Sequence, residues 1–296
     1  MRQKLEIASH ILRNVADHKL GALVFPINSY SAWRLRKKYF DKFVENIHEA
    51  STLLEQLRNY RIDALYHNAG NQDQYRGRFE QALQSSEIVD LELDVLYYAN
   101  TLVVGHDRDS FLKYRTKNPN ALYEQALGRL IDDCVERGKG IHFDLKFSDE
   151  DEKAVDEFVK RVEEIPPHIP VKLSGRDWAL QKIVYESISR PRITLFSIDN
   201  HLGNTWDNYK EEISKHLPSH PGNQIGVSIR DYLVTPEIIA ELKEREQYSL
   251  IYYLDLPEAA LYFAEMGVSG ITSNDEKIIQ ALYKPKEPHR EVVLFP

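Results

Sequence analysis

Two short stretches decide how this chain folds: Val-Asp-Leu-Glu-Leu-Asp-Val at residues 89–95 and Gly-Ile-His-Phe-Asp-Leu-Lys at residues 140–146. Apolar and polar residues alternate in both, and such alternation over about four to eight residues is typical of a β-strand. Residues i and i+2 of a strand point to the same side. Glu92 and Asp94 therefore share one face of the strand at residues 89–95, and the leucines beside Glu92 share the other.

Working outward from these stretches, short β-rich runs alternate with helical patterns along most of the chain. Strands are predicted at residues 62–67, 89–95, 140–146, 170–174, 193–198, 224–230, 248–254 and 268–273. Helices are predicted at residues 74–86, 122–137, 149–162, 178–187, 208–216, 236–245 and 256–266, with a short one at 275–283.

This alternation of strands and helices predicts an α/β fold, a (β/α)8 TIM barrel. An open doubly wound sheet is the alternative, but no Gly-rich dinucleotide-binding fingerprint follows the first predicted strand, which argues against it. Pro236 and Pro257 each stand at the first position of a predicted helix, where proline is favoured.

The chain is predicted to have three parts: an N-terminal helical extension at residues 1–60, the barrel at residues 61–284 and an irregular C-terminal tail at residues 285–296. Four basic residues cluster in the extension. We interpret this cluster as a solvated helix face, and the alternative is peripheral contact with an anionic membrane surface or a phosphate ligand. The cluster consists of Arg34, Arg36, Lys37 and Lys38.

Composition excludes several classes of protein. Among 296 residues, 42% are hydrophobic and 28% are charged, which is typical of a globular protein and not of a disordered or coiled-coil one. A net charge of −8 argues against a nucleic-acid partner. The single cysteine, Cys134, excludes an internal disulfide and a thiolate zinc site. Charges interrupt the N-terminal segment, so we expect no signal peptide and a cytoplasmic protein.

The acidic residues of the predicted strands point to a metal ion. In a (β/α)8 barrel, chemistry takes place at the C-terminal ends of the strands. Glu92, Asp94 and Asp144 would converge there, and three unpaired carboxylates repel one another. A divalent cation, Mg²⁺ or Ca²⁺, prefers oxygen ligands and would resolve that repulsion. The alternative is a set of Asp/Glu–Lys/Arg pairs that fills the mouth of the barrel.

Two histidines are predicted beside this acidic group. His67 ends the first predicted strand, and residues 101–107 are predicted to return as a short strand that delivers His106 to the mouth. Near neutral pH one imidazole can take a proton while the other gives one. Beside a metal-held phosphate, such a pair suits phosphodiester cleavage. His142, on the third predicted strand, is interpreted as structural.

Together these segments resemble the glycerophosphodiester phosphodiesterase superfamily, whose members are phospholipase-C-like (β/α)8 barrels. The family motifs are His-Arg-Gly, Glu-x-Asp, Val-Val-x-His-Asp, carboxylate-x-Lys and Gly-Val-x-Gly-Ile-x-Thr-Asp. They correspond, in this order, to residues 67–70, 92–94, 103–107, 143–146 and 267–274. The resemblance implies that His67 and His106 are the acid–base or nucleophilic pair. It also implies a cation held by Glu92, Asp94 and Asp144.

The substrate contacts follow partly from the resemblance and partly from departures from it. Lys146 occupies the lysine position that contacts phosphate in the family. Asn68 replaces the family's arginine, and we infer that Arg230, at the end of the sixth strand, supplies the missing charge. Tyr252, or Tyr253 beside it, takes the place of an aromatic residue near the end of the seventh strand. Lys172, on the fourth strand, completes the predicted substrate-binding set.

Two further departures point to particular branches of the superfamily. Asp144 and Asn274 stand where the glycerol-ester enzymes have other residues, and both resemble the sphingomyelinase D-type and menorin branches. In the first of these branches a substrate hydroxyl can replace water and give a cyclic phosphate. The cysteine-bridged loops of the secreted toxins cannot form here, since Cys134 has no second cysteine to pair with.

The sequence leaves three hypotheses open. The first is a divalent-metal phosphodiesterase that cleaves a glycerophosphodiester or a (lyso)phospholipid-type substrate. The second is a non-catalytic barrel that binds a phosphorylated ligand or a protein partner. The third is a metal-dependent hydrolase or lyase of a non-phosphate substrate, because a fold does not fix a function. The substrate headgroup, the identity of the cation and the oligomeric state stay undetermined by the sequence.

Overall fold

The computed structural model describes residues 50–71, 77–199, 203–213, 223–252 and 254–283. Most of the predicted N-terminal extension, including its basic cluster, and the predicted C-terminal tail lie outside these ranges. Both parts therefore stay predictions.

Nine strands form one sheet in the described part of the chain, and eight of them, all except β3, run parallel. Their bounds are β1 (Asp63–Tyr66), β2 (Asp90–Tyr98), β3 (Thr101–Val104), β4 (Gly140–Leu145), β5 (Val171–Gly175), β6 (Ile193–Ile198), β7 (Gln224–Arg230), β8 (Tyr248–Tyr252) and β9 (Gly270–Ser273). β1 pairs with both β9 and β2, so the sheet closes on itself. The predicted (β/α)8 barrel is confirmed, and this closure excludes the open sheet.

Helices follow the strands as the alternation predicted. They are α1 (Ala50–Leu57), α2 (Arg78–Gln84), α3 (Arg108–Lys117), α4 (Ala121–Glu124), α5 (Leu127–Glu136), α6 (Glu152–Glu163), α7 (Trp178–Ser187), α8 (Trp206–Asn208), α9 (Pro236–Glu244), α10 (Pro257–Met266) and α11 (Glu276–Leu282). A π-helical turn, Tyr209–Ile213, continues α8. Pro236 and Pro257 open α9 and α10, as predicted. None of these described helices is both long and apolar enough to cross a membrane.

One helix prediction was wrong in detail, and one helix was not predicted. The helix predicted at residues 122–137 is broken between α4 and α5, because the main chain there pairs with β3: Val104 N donates to Gln125 O at 2.8 Å. The sequence also gave no sign of α3. This helix buries Phe111 but is otherwise polar, so it lacks apolar periodicity. Its start is fixed by Asp107, whose carboxylate accepts a hydrogen bond from Ser110 N at 2.8 Å.

The barrel interior holds an apolar cluster and a group of polar side chains. Leu65, Leu195, Tyr248 and Leu250 pack into the apolar cluster. β2, β4 and β5 place buried or half-buried polar side chains inside the barrel, at alternate positions from Asp90 to Asp94, from His142 to Asp144 and from Lys172 to Ser174. Burying so many ionisable groups is costly unless they are paired or bind a ligand. A functional site is therefore expected among these polar side chains.

Candidate active site

Three carboxylates meet at the C-terminal end of β2 and β4. Asp94 lies opposite Asp144 in the strand register, and Glu92 lies one pleat below on the same face. One oxygen from each of Glu92, Asp94 and Asp144 lies within 4.8 Å of the other two. Glu92 and Asp94 are buried, at 4% and 2% exposure. The acidic group predicted from the alternation of the two strands is therefore assembled.

The electrostatics of this group show that its charges are not fully balanced. Burial, and after it the charge of Asp144, raises the pKa of Glu92 to about 7. Burial also raises the pKa of Asp94 to about 7, against the opposing effect of Lys146. Burial acts in the same direction on Asp144, but the charge and hydrogen bond of Lys146 outweigh it and lower the pKa of Asp144.

Lys146 balances part of the acidic group. Its Nζ donates a hydrogen bond to Asp144 Oδ2 and lies 3.5 Å from Asp94 Oδ1. Burial alone would lower the pKa of Lys146, but Asp144 and Asp94 raise it above its usual value, so the side chain stays charged. One ammonium thus faces three carboxylates. The alternative arrangement, in which Asp/Glu–Lys/Arg pairs fill the mouth of the barrel, is therefore present only in part.

His67 stands over Glu92 at the end of β1. Its Nε2 lies 3.3 Å from Glu92 Oε2, and its Nδ1 lies 3.2 Å from Asn274 Oδ1 and 2.9 Å from Asn68 Nδ2. Burial lowers the pKa of His67, and the opposing effect of the Asp94 carboxylate is smaller. The imidazole is therefore held neutral close to neutral pH, which is the form that acts as a base or a nucleophile.

Asn68, predicted to contact substrate, instead supports Glu92 and His67 from within the protein. It has φ of 55°, a left-handed conformation that asparagine tolerates well, and this turn aims its backbone N at Glu92 Oε2, 2.9 Å away. Asn68 is 5% exposed, and its side chain bonds His67 and Asn71. The turn must pass close to β2, since a Cβ on Gly70 would lie 2.4 Å from Leu93 Cδ2. The hydrogen-bonding groups of Asn68 are therefore engaged within the protein.

His106 reaches the same end of the barrel through β3. β3 runs antiparallel to β2, and Gly105 N donates to Asp94 O at 3.0 Å. Because Gly105 is bonded to the main chain of Asp94, the next residue, His106, lies at the end of the barrel that carries the acidic group. His106 Nδ1 lies 3.0 Å from Asp107 Oδ2, and its side chain is 41% exposed. This hydrogen bond holds the pKa of Asp107 well below its usual range.

Arg230 and Tyr252 lie across the mouth, where β7 and β8 end. The Arg230 guanidinium lies 5.8 Å from the Tyr252 ring and 4.0 Å from Asp199 Oδ2. Tyr252 donates a hydrogen bond to Asp199 at 3.4 Å. Burial, and after it the charge of Asp199, raises the pKa of Tyr252 well above its usual value. Tyr253, the other aromatic considered, lies outside the described residues.

Lys172, also predicted to contact substrate, lies at the other end of the barrel. Its Nζ lies 2.7 Å from Asp90 Oδ2 and 3.2 Å from Asp63 Oδ2, and Tyr248 donates to Asp63 Oδ2 at 2.6 Å. Asp63, Asp90 and Tyr248 are the first residues of their strands. In a parallel barrel these positions lie at the N-terminal end, opposite the acidic group. Lys172 therefore stabilises the barrel floor.

The structure adds residues that the sequence analysis missed. Asn71 Nδ2 donates to Asp94 Oδ2 at 2.7 Å. Asn274 accepts a hydrogen bond from Arg78 Nη1 at 3.1 Å, while its own Nδ2 donates to Asp255 at 3.1 Å. Asp255 directly follows a predicted strand, so its position at a strand end could have identified it from the sequence. Arg78 comes from α2 and carried no comparable signal.

Two solved structures show which proteins share this architecture. The Oleispira antarctica phosphodiesterase in complex with its product sn-glycerol-3-phosphate matches with a TM-score of 0.54 at 15% identity, over 74% of this chain and 96% of that one. A glycerophosphodiester phosphodiesterase from Parabacteroides distasonis matches with a TM-score of 0.54 at 15% identity, over 75% of this chain and 96% of that one. This chain shares the fold of these two phosphodiesterases. No protein-family model and no curated protein matches the sequence.

The donor set of the acidic group fits a hard divalent cation. All three ligand candidates are carboxylates, which Mg²⁺ and Ca²⁺ prefer, and their oxygens lie within 4.8 Å of one another. The raised pKa of Glu92 and of Asp94 also shows that the site favours added positive charge, whether from protons or from a cation.

Proposed function

We propose that this protein is a divalent-metal-dependent phosphodiesterase whose substrate is a glycerophosphodiester or a (lyso)phospholipid-type phosphodiester. The observation that carries the proposal is the placement of His67 3.3 Å from Glu92, within an acidic group that fits a cation. The two phosphodiesterases of the same fold, one of them bound to its product sn-glycerol-3-phosphate, support the reaction class. Glu92, Asp94 and Asp144 would hold the cation, which supplies positive charge to the phosphate.

The two histidines have different surroundings, which suit them to different roles. His67 is neutral because burial lowers its pKa, so it acts as the base or the nucleophile. His106 is more exposed and bonds Asp107 through Nδ1. That bond fixes the ring and leaves Nε2 to give a proton to the leaving oxygen. The resulting pair provides one group for each proton transfer.

Lys146 and Arg230 are proposed to bind the phosphate. Lys146 stays charged among the carboxylates, and Arg230 lies on the opposite wall beside Tyr252. Arg230 thus supplies the cationic contact that Asn68 does not, since the Asn68 side chain is bonded within the protein. Tyr252 borders the same space and would contact the substrate headgroup.

A panel of phosphodiesters tests this function. The purified protein is incubated with glycerophosphodiesters and lysophospholipids, with Mg²⁺, with Ca²⁺ or with a chelator, and the products are followed by ³¹P NMR. We expect turnover that depends on the cation, and the spectrum separates a phosphomonoester from a cyclic phosphate. Turnover that is unaffected by the chelator would contradict the proposal.

Single variants assign the roles. His67→Ala and His106→Ala are each expected to lower turnover by about 10²- to 10⁴-fold, the usual contribution of general acid–base groups. His168→Ala is the matched control, because His168 is exposed and precedes β5 at the opposite end of the barrel. Cation-dependent binding of a phosphodiester without turnover would instead favour the non-catalytic barrel.

Further properties of the protein are predicted beyond this reaction. These are the choice between Mg²⁺ and Ca²⁺, the resemblance to the sphingomyelinase D-type and menorin branches, the cyclic product, a cytoplasmic location and peripheral membrane contact. The ³¹P spectra and the cation series address the first three.

A further inference from the structure

His142, interpreted from the sequence as a structural residue, lies directly beside Glu92. The two residues are partners in the register of β2 and β4, one pleat below the partners Asp94 and Asp144. His142 is 2% exposed. Its Nδ1 lies 3.8 Å from Glu92 Oε1, and within the described residues this buried nitrogen has no hydrogen-bond partner. A buried, unpaired nitrogen is costly, so its position beside a proposed cation ligand calls for an explanation.

The atoms around His142 indicate where its ring proton lies. His142 Nε2 lies 2.8 Å from Ser174 Oγ, a hydroxyl that can donate to it. With Ser174 as the donor to Nε2, the ring N–H is on Nδ1, the nitrogen that lies 3.8 Å from Glu92 Oε1.

The two oxygens of Glu92 have different surroundings. Oε2 accepts a hydrogen bond from Asn68 N at 2.9 Å and lies 3.3 Å from His67 Nε2. Oε1 faces His142. Each of the other two acidic residues also has a donor beside it, since Asp94 accepts from Asn71 and Asp144 accepts from Lys146. Donors of this kind orient the carboxylates that bind metal ions, and their loss weakens binding.

We propose that His142 is a positioning residue that orients Glu92 for the divalent cation, by donating from Nδ1 to Glu92 Oε1 when the site is loaded. This inference rests on the proposed function, because it assumes the cation. An imidazole suits the task, because Ser174 contacts one ring nitrogen and the other remains available to Glu92. Lys146 already provides the one ammonium in the group.

Two substitutions test the two ring nitrogens of His142 separately. His142→Asn keeps an amide N–H near the position of Nδ1, whereas His142→Gln places its amide near the position of Nε2, toward Ser174. Cation affinity is measured on the full chain by titration calorimetry with Mg²⁺ and with Ca²⁺. We expect His142→Gln to bind about 10- to 100-fold more weakly than the wild type. His142→Asn is expected to remain within about threefold of the wild type.

The controls keep the result interpretable. Unfolding of both variants in chelator shows whether either is merely less stable, and a purely structural role predicts equal cation affinities at equal stability. Equal affinities in His142→Gln and the wild type, or equally weak binding in both variants, would overturn the role of His142 while leaving the proposed function in place. Absence of any saturable cation binding in the wild type would overturn both.

Discussion

Removing the Glu92 carboxylate should stabilise the metal-free protein while abolishing its response to the cation. Glu92 is buried beside two other carboxylates, and its pKa is raised from 4.5 to about 7. At about 1.4 kcal/mol per pH unit, that difference corresponds to about 3 kcal/mol. Because part of this shift comes from the charge of Asp144, which can itself adjust in the variant, we expect the observed effect of Glu92→Gln to be about 2–3 kcal/mol.

The sign of the pH dependence follows from linkage. A carboxyl whose pKa is higher in the folded state than in the unfolded state holds its proton longer when folded. The destabilisation by Glu92 is therefore absent below about pH 4.5, grows as the pH rises toward 7, and is complete above that value. The Glu92→Gln variant and the wild type should be equally stable near pH 4.5. The variant should be more stable at pH 8.

Urea unfolding followed by tryptophan fluorescence measures this difference. The wild type and Glu92→Gln are compared across this pH range in chelator and again with Mg²⁺, which should stabilise only the wild type. Glu55→Gln is the matched control, because it makes the same change at an exposed position of α1. A Glu92→Gln variant that is no more stable than the wild type at pH 8 without cation would refute the reasoning.

Three further predictions concern the scaffold. Lys172→Met leaves the Asp63 and Asp90 carboxylates without their ammonium, so it should lower the free energy of unfolding by about 3–5 kcal/mol, while calorimetry shows unchanged cation affinity. Cys134 is fully buried and burial raises its thiol pKa to about 12, so a thiol reagent at pH 8 should modify it only after urea is added. Thr235→Ala removes the hydroxyl that caps α9 and should cost about 1 kcal/mol in the same unfolding assay.

Local pattern was enough to predict most of the barrel. Alternation at residues 89–95 and 140–146 placed Glu92, Asp94 and Asp144 on inward faces because the period of a strand is fixed by its backbone. The same alternation located the C-terminal ends of the strands, where the chemistry of (β/α)8 barrels takes place. The histidines were found in the same way, since His67 follows β1 and His106 follows β3.

Tertiary structure decided what strand periodicity could not distinguish. Lys172 and Lys146 both project into the barrel, but depth along the strand sends Lys172 to the floor with Asp63 and Lys146 to the mouth with Asp144. Asn68 was expected to face substrate, yet its left-handed turn directs it into the protein. Such outcomes depend on the height of one strand relative to its neighbours and on where a turn aims its side chain.

The sequence by itself determined the inward faces, the order of the elements and the acidic and imidazole groups available for chemistry, because each follows from near neighbours in the chain. Only the tertiary structure decided that His142 lies beside Glu92 and that Arg78 reaches Asn274. Each pair joins residues that are far apart in the chain, 196 residues apart for Arg78 and Asn274. Their contacts exist because β2 pairs with β4 and β1 pairs with β9, and no local pattern encodes which strands pair.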